Sequence, residues 1–137
     1  MPYWLIKSEP TAYSFDQLRA DGHTAWTGVR NNAARLHMRA MAEGDGLLFY
    51  HSNEGKQIVG LARVAKGPYP DPTDPTGQWV CMDVAYDQPL KRPLSLAELK
   101  ADSILKDMEF VRISRLSVAP VRPAEWDRVL ELGEVRS

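Results

Sequence analysis

The most constraining stretch lies at residues 3–10, Tyr-Trp-Leu-Ile-Lys-Ser-Glu-Pro, where four large apolar side chains run without a break into three polar ones. A strand with water on one face alternates apolar and polar residues, because successive side chains point to opposite sides. Tyr3–Ile6 does not alternate, and Leu47–His51 does not either. Both strands therefore need cover on both faces. If they are neighbours, their polar ends, Lys7-Ser8-Glu9 and His51-Ser52-Asn53, share one rim.

The rest of the chain fits a small sheet with short helices. Ser14 and Gln17 have capping-box spacing and open a helix that ends near Asp21-Gly22, before a connection over Ala25–Gly28. A helix is expected from about Asn31 to Ala42, with Ala34, Met38 and Met41 facing inward. Turn residues Ser52–Gly55 send the chain back as Gln57–Ala65, the hairpin partner of Leu47–His51. Gly60 within that strand marks a bulge or a close backbone approach. Gly67–Gly77 holds four prolines and is expected as a surface loop. Trp79–Asp87 alternates as a strand, Ser95 and Glu98 form a second capping box, and Arg115–Val121 is the last strand. Pro123 suits the first position of a final helix with Trp126, Val129 and Leu130 on its apolar face and Gly133 beyond its end. No regular crossover helices separate the strands, which argues against a doubly wound sheet. The expected fold is α/β in the α+β sense: a small mixed β-barrel of about five to six strands with flanking short helices, one domain over residues 1–137.

Composition bounds the function. At 44% hydrophobic and 26% charged residues, the chain resembles an ordinary globular domain. No apolar run approaches the roughly 20 residues of a membrane helix, and no signal-peptide pattern is seen. No membrane partner is expected. The single cysteine, Cys81, sits in an apolar alternation and is expected as a small buried hydrophobe. A cytoplasmic monomer is the expectation. Net charge is −1, but its distribution is uneven. Arg30, Arg35 and Arg39 stand in an acid-free segment, as do Arg112, Arg115 and Arg122, while Asp71, Asp74, Asp83 and Asp87 occupy a base-free one. Arginine forks suit phosphate oxygens, although arginines on a helix are also ordinary solvated residues.

Enzyme templates find little support. His23, His37 and His51 lack a second ligand at zinc spacing, and no phosphate loop or dinucleotide fingerprint is present, so neither metal nor cofactor is expected. Asp71 and Asp74 lie in the proline-rich stretch and are taken for a solvated turn. Ser8, Glu9 and His51 are the one conceivable nucleophile, orienter and base, without a nucleophile elbow around Ser8. What recurs is an aromatic or apolar residue running into hydrogen-bonding groups: Trp4 into Lys7-Ser8-Glu9, Trp26 into Arg30-Asn31-Asn32, Tyr50 into His51-Ser52-Asn53, and Arg115-Leu116-Ser117. Aromatic walls with a polar rim hold flat heteroaromatic rings. Each tryptophan is equally a candidate core residue.

These segments carry a resemblance. Tyr3–Pro10, Trp26–Met41, Gly44–Ser52, Ile58–Val64, Tyr69–Asp71 and Arg115–Trp126 occur in an order and spacing similar to the EVE domain family. That family has a PUA-like fold, a partly open barrel related to the YTH readers of methylated adenine. The resemblance implies a non-catalytic module that binds a flipped, modified base, notably methylated or oxidised cytosine, in DNA or RNA. It implies a base pocket of Trp4, Ser8, Glu9, Trp26, Asn31, Tyr50, His51, Ser52 and Ser117, with Lys7, Arg30, Arg35, Arg39 and Arg115 on the backbone. A small-molecule or nucleotide binder using the same pocket is the alternative, and a hydrolase a more distant one.

Overall fold

The computed structural model describes residues 2–135. It places strand β1 (Tyr3–Ser8) inside the sheet, parallel to β3 (Gly46–His51) and antiparallel to β6 (Val118–Val121). Strand β4 (Gln57–Pro70) returns antiparallel to β3, and β5 (Val80–Ser95) pairs with β4. The short β2 (His23–Ala25) pairs with β5 at one edge. The result is one mixed sheet of six strands, ordered β2-β5-β4-β3-β1-β6.

The expected barrel is not closed. Closure needs the first and last strands to pair, and here β2 and β6 remain the two edges. Strand β6 is packed by helices α2 (Asn32–Arg39) and α4 (Glu109–Arg112), one on each face of the sheet.

The two central strands explain their own composition. Trp4, Ile6, Leu47 and Phe49 join a cluster on one face with Phe15 and Leu18 of α1 (Phe15–Asp21) and with Ala34 and Met38 of α2. Leu5, Leu48 and Tyr50 join a second cluster on the other face. It includes Leu99 of α3 (Leu96–Ala101), Phe110 of α4, and Trp126, Val129 and Leu130 of α5 (Pro123–Leu132). Leu5, Ile6, Leu47 and Leu48 are fully buried. Each contributes about 1.5–3 kcal/mol relative to exposure, so neither face of β1 or β3 tolerates alternation.

Several boundaries differ from the sequence expectation. Strand β4 extends to Pro70, into the segment expected to be loop, because the pairing register breaks between Val64 and Tyr69 and absorbs Gly67-Pro68. Strand β5 runs on through Pro89 and Pro93 to Ser95. Helix α2 stops at Arg39, although Met41 is still buried. Ser14 does cap α1, but Gln17 turns to Asp21 rather than back to the cap. The Ser95–Glu98 capping box is present, and Pro123 opens α5. A 3-10 turn (Leu105–Asp107) and α4 fill a stretch the sequence left unassigned. Gly60 adjoins register breaks and lies under Phe15, where an added Cβ would stand 2.1 Å from the ring.

Candidate functional site

Parallel pairing sets the polar ends of β1 and β3 side by side, with Lys7 opposite Tyr50 and Ser8 opposite His51. Alternation then sorts them by face. Ser8 and His51 follow Trp4 and Phe49, while Lys7 and Tyr50 follow Leu5 and Leu48. Two cavities result, one for each side of the rim.

The larger, about 480 Å3, is lined by Lys7, Ser8 and Glu9, by Tyr13, by the run from Thr24 to Arg30, and by Ser117. That volume falls in the range of small-ligand sites. Trp26 is its main aromatic wall. The indole is half-buried, edge-on to Tyr13 (centroids 6.1 Å, 85°) and to Phe49 (5.6 Å, 84°). Its backbone N–H donates to the Met82 carbonyl, extending the β2–β5 pairing by one step. Its indole N–H has no acceptor among the described residues. The Ser8 hydroxyl donates to the Tyr13 carbonyl at 2.7 Å, which ties the end of β1 to the start of α1. The Glu9 carboxylate accepts one bond, from the Asn53 amide at 2.6 Å, leaving its second oxygen open.

Beyond Trp26 the wall is held from outside the cavity by Asp71. This carboxylate, expected to be a solvated turn, is 2% exposed. It accepts the Gly28 N–H at 2.8 Å and the Arg30 guanidinium at 3.1 Å on one oxygen, and the Thr73 N–H and hydroxyl, both at 2.7 Å, on the other. Burial alone would raise its pKa. The Thr73 hydroxyl, the two backbone donors and Arg30 outweigh burial and hold it well below the usual carboxylate range. Gly28 has φ +82° with open space around it, so glycine is needed there for conformation rather than room. The neighbouring Asp74 caps its own turn through Thr76 and Trp79.

The structure gathers only part of the expected set. Ser8, Glu9, Trp26, Ser117, Lys7 and Arg30 line the larger cavity. Trp4 does not: it is 6% exposed, and its indole N–H donates to the buried Asp45 carboxylate at 3.0 Å. Asn31 is the N-cap of α2, its side-chain oxygen taken by the Ala34 N–H. Tyr50 and Ser52 face the second cavity, on the other side of the sheet. His51 lies behind the first, its Nε2 accepting the Phe15 N–H at 3.0 Å, and burial lowers its pKa against an opposing pull from Asp16. Arg35 bonds to Asn32 and the Gln78 carbonyl and covers the Trp79 ring at 4.6 Å, while Arg39 reaches the same carbonyl. The arginines of α2 thus serve the 71–79 loop. Arg115 is exposed and lines neither cavity. Sequence reasoning missed Tyr13, Thr24, Thr27 and Val29 as lining and Asp71 as anchor.

The side chains of Ser8, Glu9 and His51, the conceivable hydrolytic set, are each engaged with other partners. The one contact of a side chain within the set runs from the Ser8 hydroxyl to the Glu9 backbone carbonyl at 3.4 Å, not to its carboxylate. Among the described residues, no group of three or more His, Cys, Asp or Glu could hold a metal.

Known proteins resemble this chain in sequence and in fold. The EVE domain family model matches residues 2–132. Human thymocyte nuclear protein 1 is 36% identical over 166 aligned positions, covering 96% of this chain and 74% of that protein. An NMR structure of a Rhodopseudomonas palustris protein is 52% identical with a TM-score of 0.93, covering 98% of this chain and 94% of that one. A crystal structure of human THYN1 in complex with 5-methylcytosine-containing DNA has a TM-score of 0.92 at 34% identity and full coverage of both chains (100% each).

Proposed function

We propose that this chain, which belongs to the EVE domain family, is a non-catalytic nucleic-acid-binding module that takes a flipped, modified base into the cavity beside Trp26. The observation that carries this is the half-buried Trp26 with a free indole N–H, set in a cavity of about 480 Å3 whose rim is polar and cationic. Stacking on such a ring is worth about 1–3 kcal/mol per base. The open oxygen of Glu9 is suited to the exocyclic amine of a cytosine, which carboxylates recognise by accepting its N–H. The Ser117 hydroxyl and Lys7 supply further donors at the rim. The complex of human THYN1 with 5-methylcytosine-containing DNA supports methylated cytosine as the first base to test. Ser8 and His51 are neighbours across the β1–β3 pair, but the Ser8 hydroxyl donates to the Tyr13 carbonyl and His51 Nε2 accepts the Phe15 N–H, and this engagement favours binding over hydrolysis.

The test is fluorescence anisotropy with short oligonucleotides carrying one cytosine or one 5-methylcytosine. The wild-type chain is expected to prefer the methylated strand, and Trp26→Ala to lose about 1–3 kcal/mol of affinity, roughly 5- to 150-fold. Equal wild-type affinity for plain, methylated and oxidised cytosine in both DNA and RNA would refute the reading.

A further inference from the structure

The second cavity, about 240 Å3, opens on the opposite side of the sheet and shares Lys7 with the first. Its cationic side chains are Lys7, Lys56 and Lys100, and no acidic side chain lines it. A shallow continuation past α3 is again lined by Lys56 and Lys100 without an acid. The side-chain ammonium groups of Lys56 and Lys100 have no hydrogen-bond or ion-pair partner among the described residues. Lys7 donates one bond, to the Ser114 carbonyl at 2.9 Å, and two of its three N–H groups remain. By contrast, Arg30, Arg35, Arg92, Arg122 and Arg128 are all committed to protein acceptors.

The backbone adds a second, independent observation. Lys56 has φ +42°, a left-handed conformation unfavourable for a residue with a long side chain. Its carbonyl accepts the Leu96 N–H, which locks the turn against the start of α3. The Lys56 side chain at this turn lines the cavity, and unfavourable backbone of this kind gathers where geometry matters for function. Ser52 and Asn53 complete the rim with hydrogen-bonding groups.

We propose that this second cavity is a phosphate subsite, which takes a phosphodiester of the same strand whose modified base occupies the first cavity. The inference rests on the base-binding reading above. The shared Lys7 makes the two cavities adjoining, so a strand can leave the base pocket over Lys7 and reach Lys56 and Lys100. Base contacts then confer selectivity, and the lysine cavity fixes register on the backbone.

The experiment compares the wild-type chain with Lys56→Gln/Lys100→Gln and with Lys56→Arg/Lys100→Arg, using a 5-methylcytosine oligonucleotide and the free 5-methylcytosine nucleoside. Binding of the nucleoside is followed by tryptophan fluorescence. The glutamine variant is expected to bind the oligonucleotide several-fold more weakly at low salt. Its slope of log affinity against log salt should fall by about 0.7, the value for the one single-strand phosphate that the cavity no longer neutralises. Nucleoside binding should be unchanged, and the arginine variant should keep the slope. Wild-type affinity and slope in the glutamine variant would overturn the subsite while leaving the base pocket standing. Inorganic phosphate that binds the wild type but not the glutamine variant, with equal oligonucleotide affinity in both, would overturn it in favour of a free-anion site. A wild-type chain that binds neither nucleoside nor oligonucleotide overturns both readings.

Discussion

Asp71 offers the sharpest test of how the pocket wall is held. Four donors converge on its two oxygens: Gly28 N–H and Arg30 on the pocket side, Thr73 N–H and hydroxyl on the loop side. Asp71→Ala removes both acceptor oxygens, and with them all four bonds, at once. Hydrogen bonds to a charged group are each worth about 1.5–3 kcal/mol net. Arg30 is 37% exposed, and Gly28 and Thr73 lie at the surface, so water replaces part of what is lost. The expected cost is about 2–4 kcal/mol, at or below the 3–5 kcal/mol for breaking a fully buried pair. Asp71→Asn keeps one acceptor oxygen and should cost about half as much. The structural consequence is local, because segment 26–30 loses its outer anchor while β1 and β3 stay packed.

Binding should therefore suffer beyond the loss of stability. If freeing segment 26–30 leaves it in the competent position about a tenth of the time, apparent affinity for a modified base falls about tenfold. Urea unfolding followed by tryptophan fluorescence gives the stability, and anisotropy at a temperature where each variant is fully folded gives the affinity. Ile58→Val, fully buried in the cluster on the far face, is the control. It should cost about 0.5–1.5 kcal/mol without changing affinity. An Asp71→Ala variant that loses stability but binds as the wild type does would refute the anchoring role, and one within about 0.5 kcal/mol of wild type would refute the energetics. The sign with pH follows from the depressed carboxyl. Its contribution is present above pH 3.8 and is lost as pH falls through the folded value.

Three further outcomes check other parts of the structure. Trp4→Phe removes the donor to Asp45 but keeps an aromatic core residue; it should destabilise by about 1–3 kcal/mol in urea unfolding and leave base affinity untouched. Loss of base discrimination instead would return Trp4 to the pocket. Gly60→Ala places a methyl 2.1 Å from the Phe15 ring, so it should cost about 1–3 kcal/mol or more, read by thermal melts. His51 accepts a backbone N–H through Nε2 and has a lowered pKa, so protonation is disfavoured in the folded state. Stability should therefore decline as pH falls from about 6.5 through the lower folded value. His51→Gln should flatten that segment of the pH profile, and an unchanged profile would count against the assignment.

The sequence made the sheet more legible than the site. Unbroken apolar runs at Tyr3–Ile6 and Leu47–Tyr50 required cover on both faces, and two clusters provide it. Gly60 announced a close approach, and Phe15 supplies it. Local patterns fail where a partner is distant along the chain. Trp4 and Trp26 share one signature, an aromatic running into polar residues, yet Asp45, 41 positions away, makes Trp4 a core residue. Arg30 stood in an acid-free segment and suggested a phosphate contact, but Asp71, again 41 positions away, pairs with it. Each Asp of Asp71-Pro-Thr73 and Asp74-Pro-Thr76 has a threonine two residues later, a local signal for a self-capped turn. That signal was readable, whereas the burial of Asp71 against Gly28 was not. Tyr13 and the backbone from Thr24 to Val29 carry no chemical flag, because they contribute position rather than reactivity.

The parallel β1–β3 pair explains why the site straddles the sheet. Two antiparallel neighbours would present their polar ends at opposite edges. Parallel neighbours bring both ends to one edge, and the two-residue period then divides the side chains between the faces. Ser8 serves the Trp26 side alone, whereas Lys7, adjacent in sequence, stands over the Tyr50 ring and lines both cavities. One short strand end therefore supplies a neutral hydrogen-bonding group to a base-sized cavity and a cation to the cavity beside it. Such an arrangement suits a ligand with a flat polar ring joined to a charged backbone, and a ligand lacking the charge would leave the lysine side unused. Retained nucleoside binding with a reduced salt slope in Lys56→Gln/Lys100→Gln is the outcome that this division of labour requires.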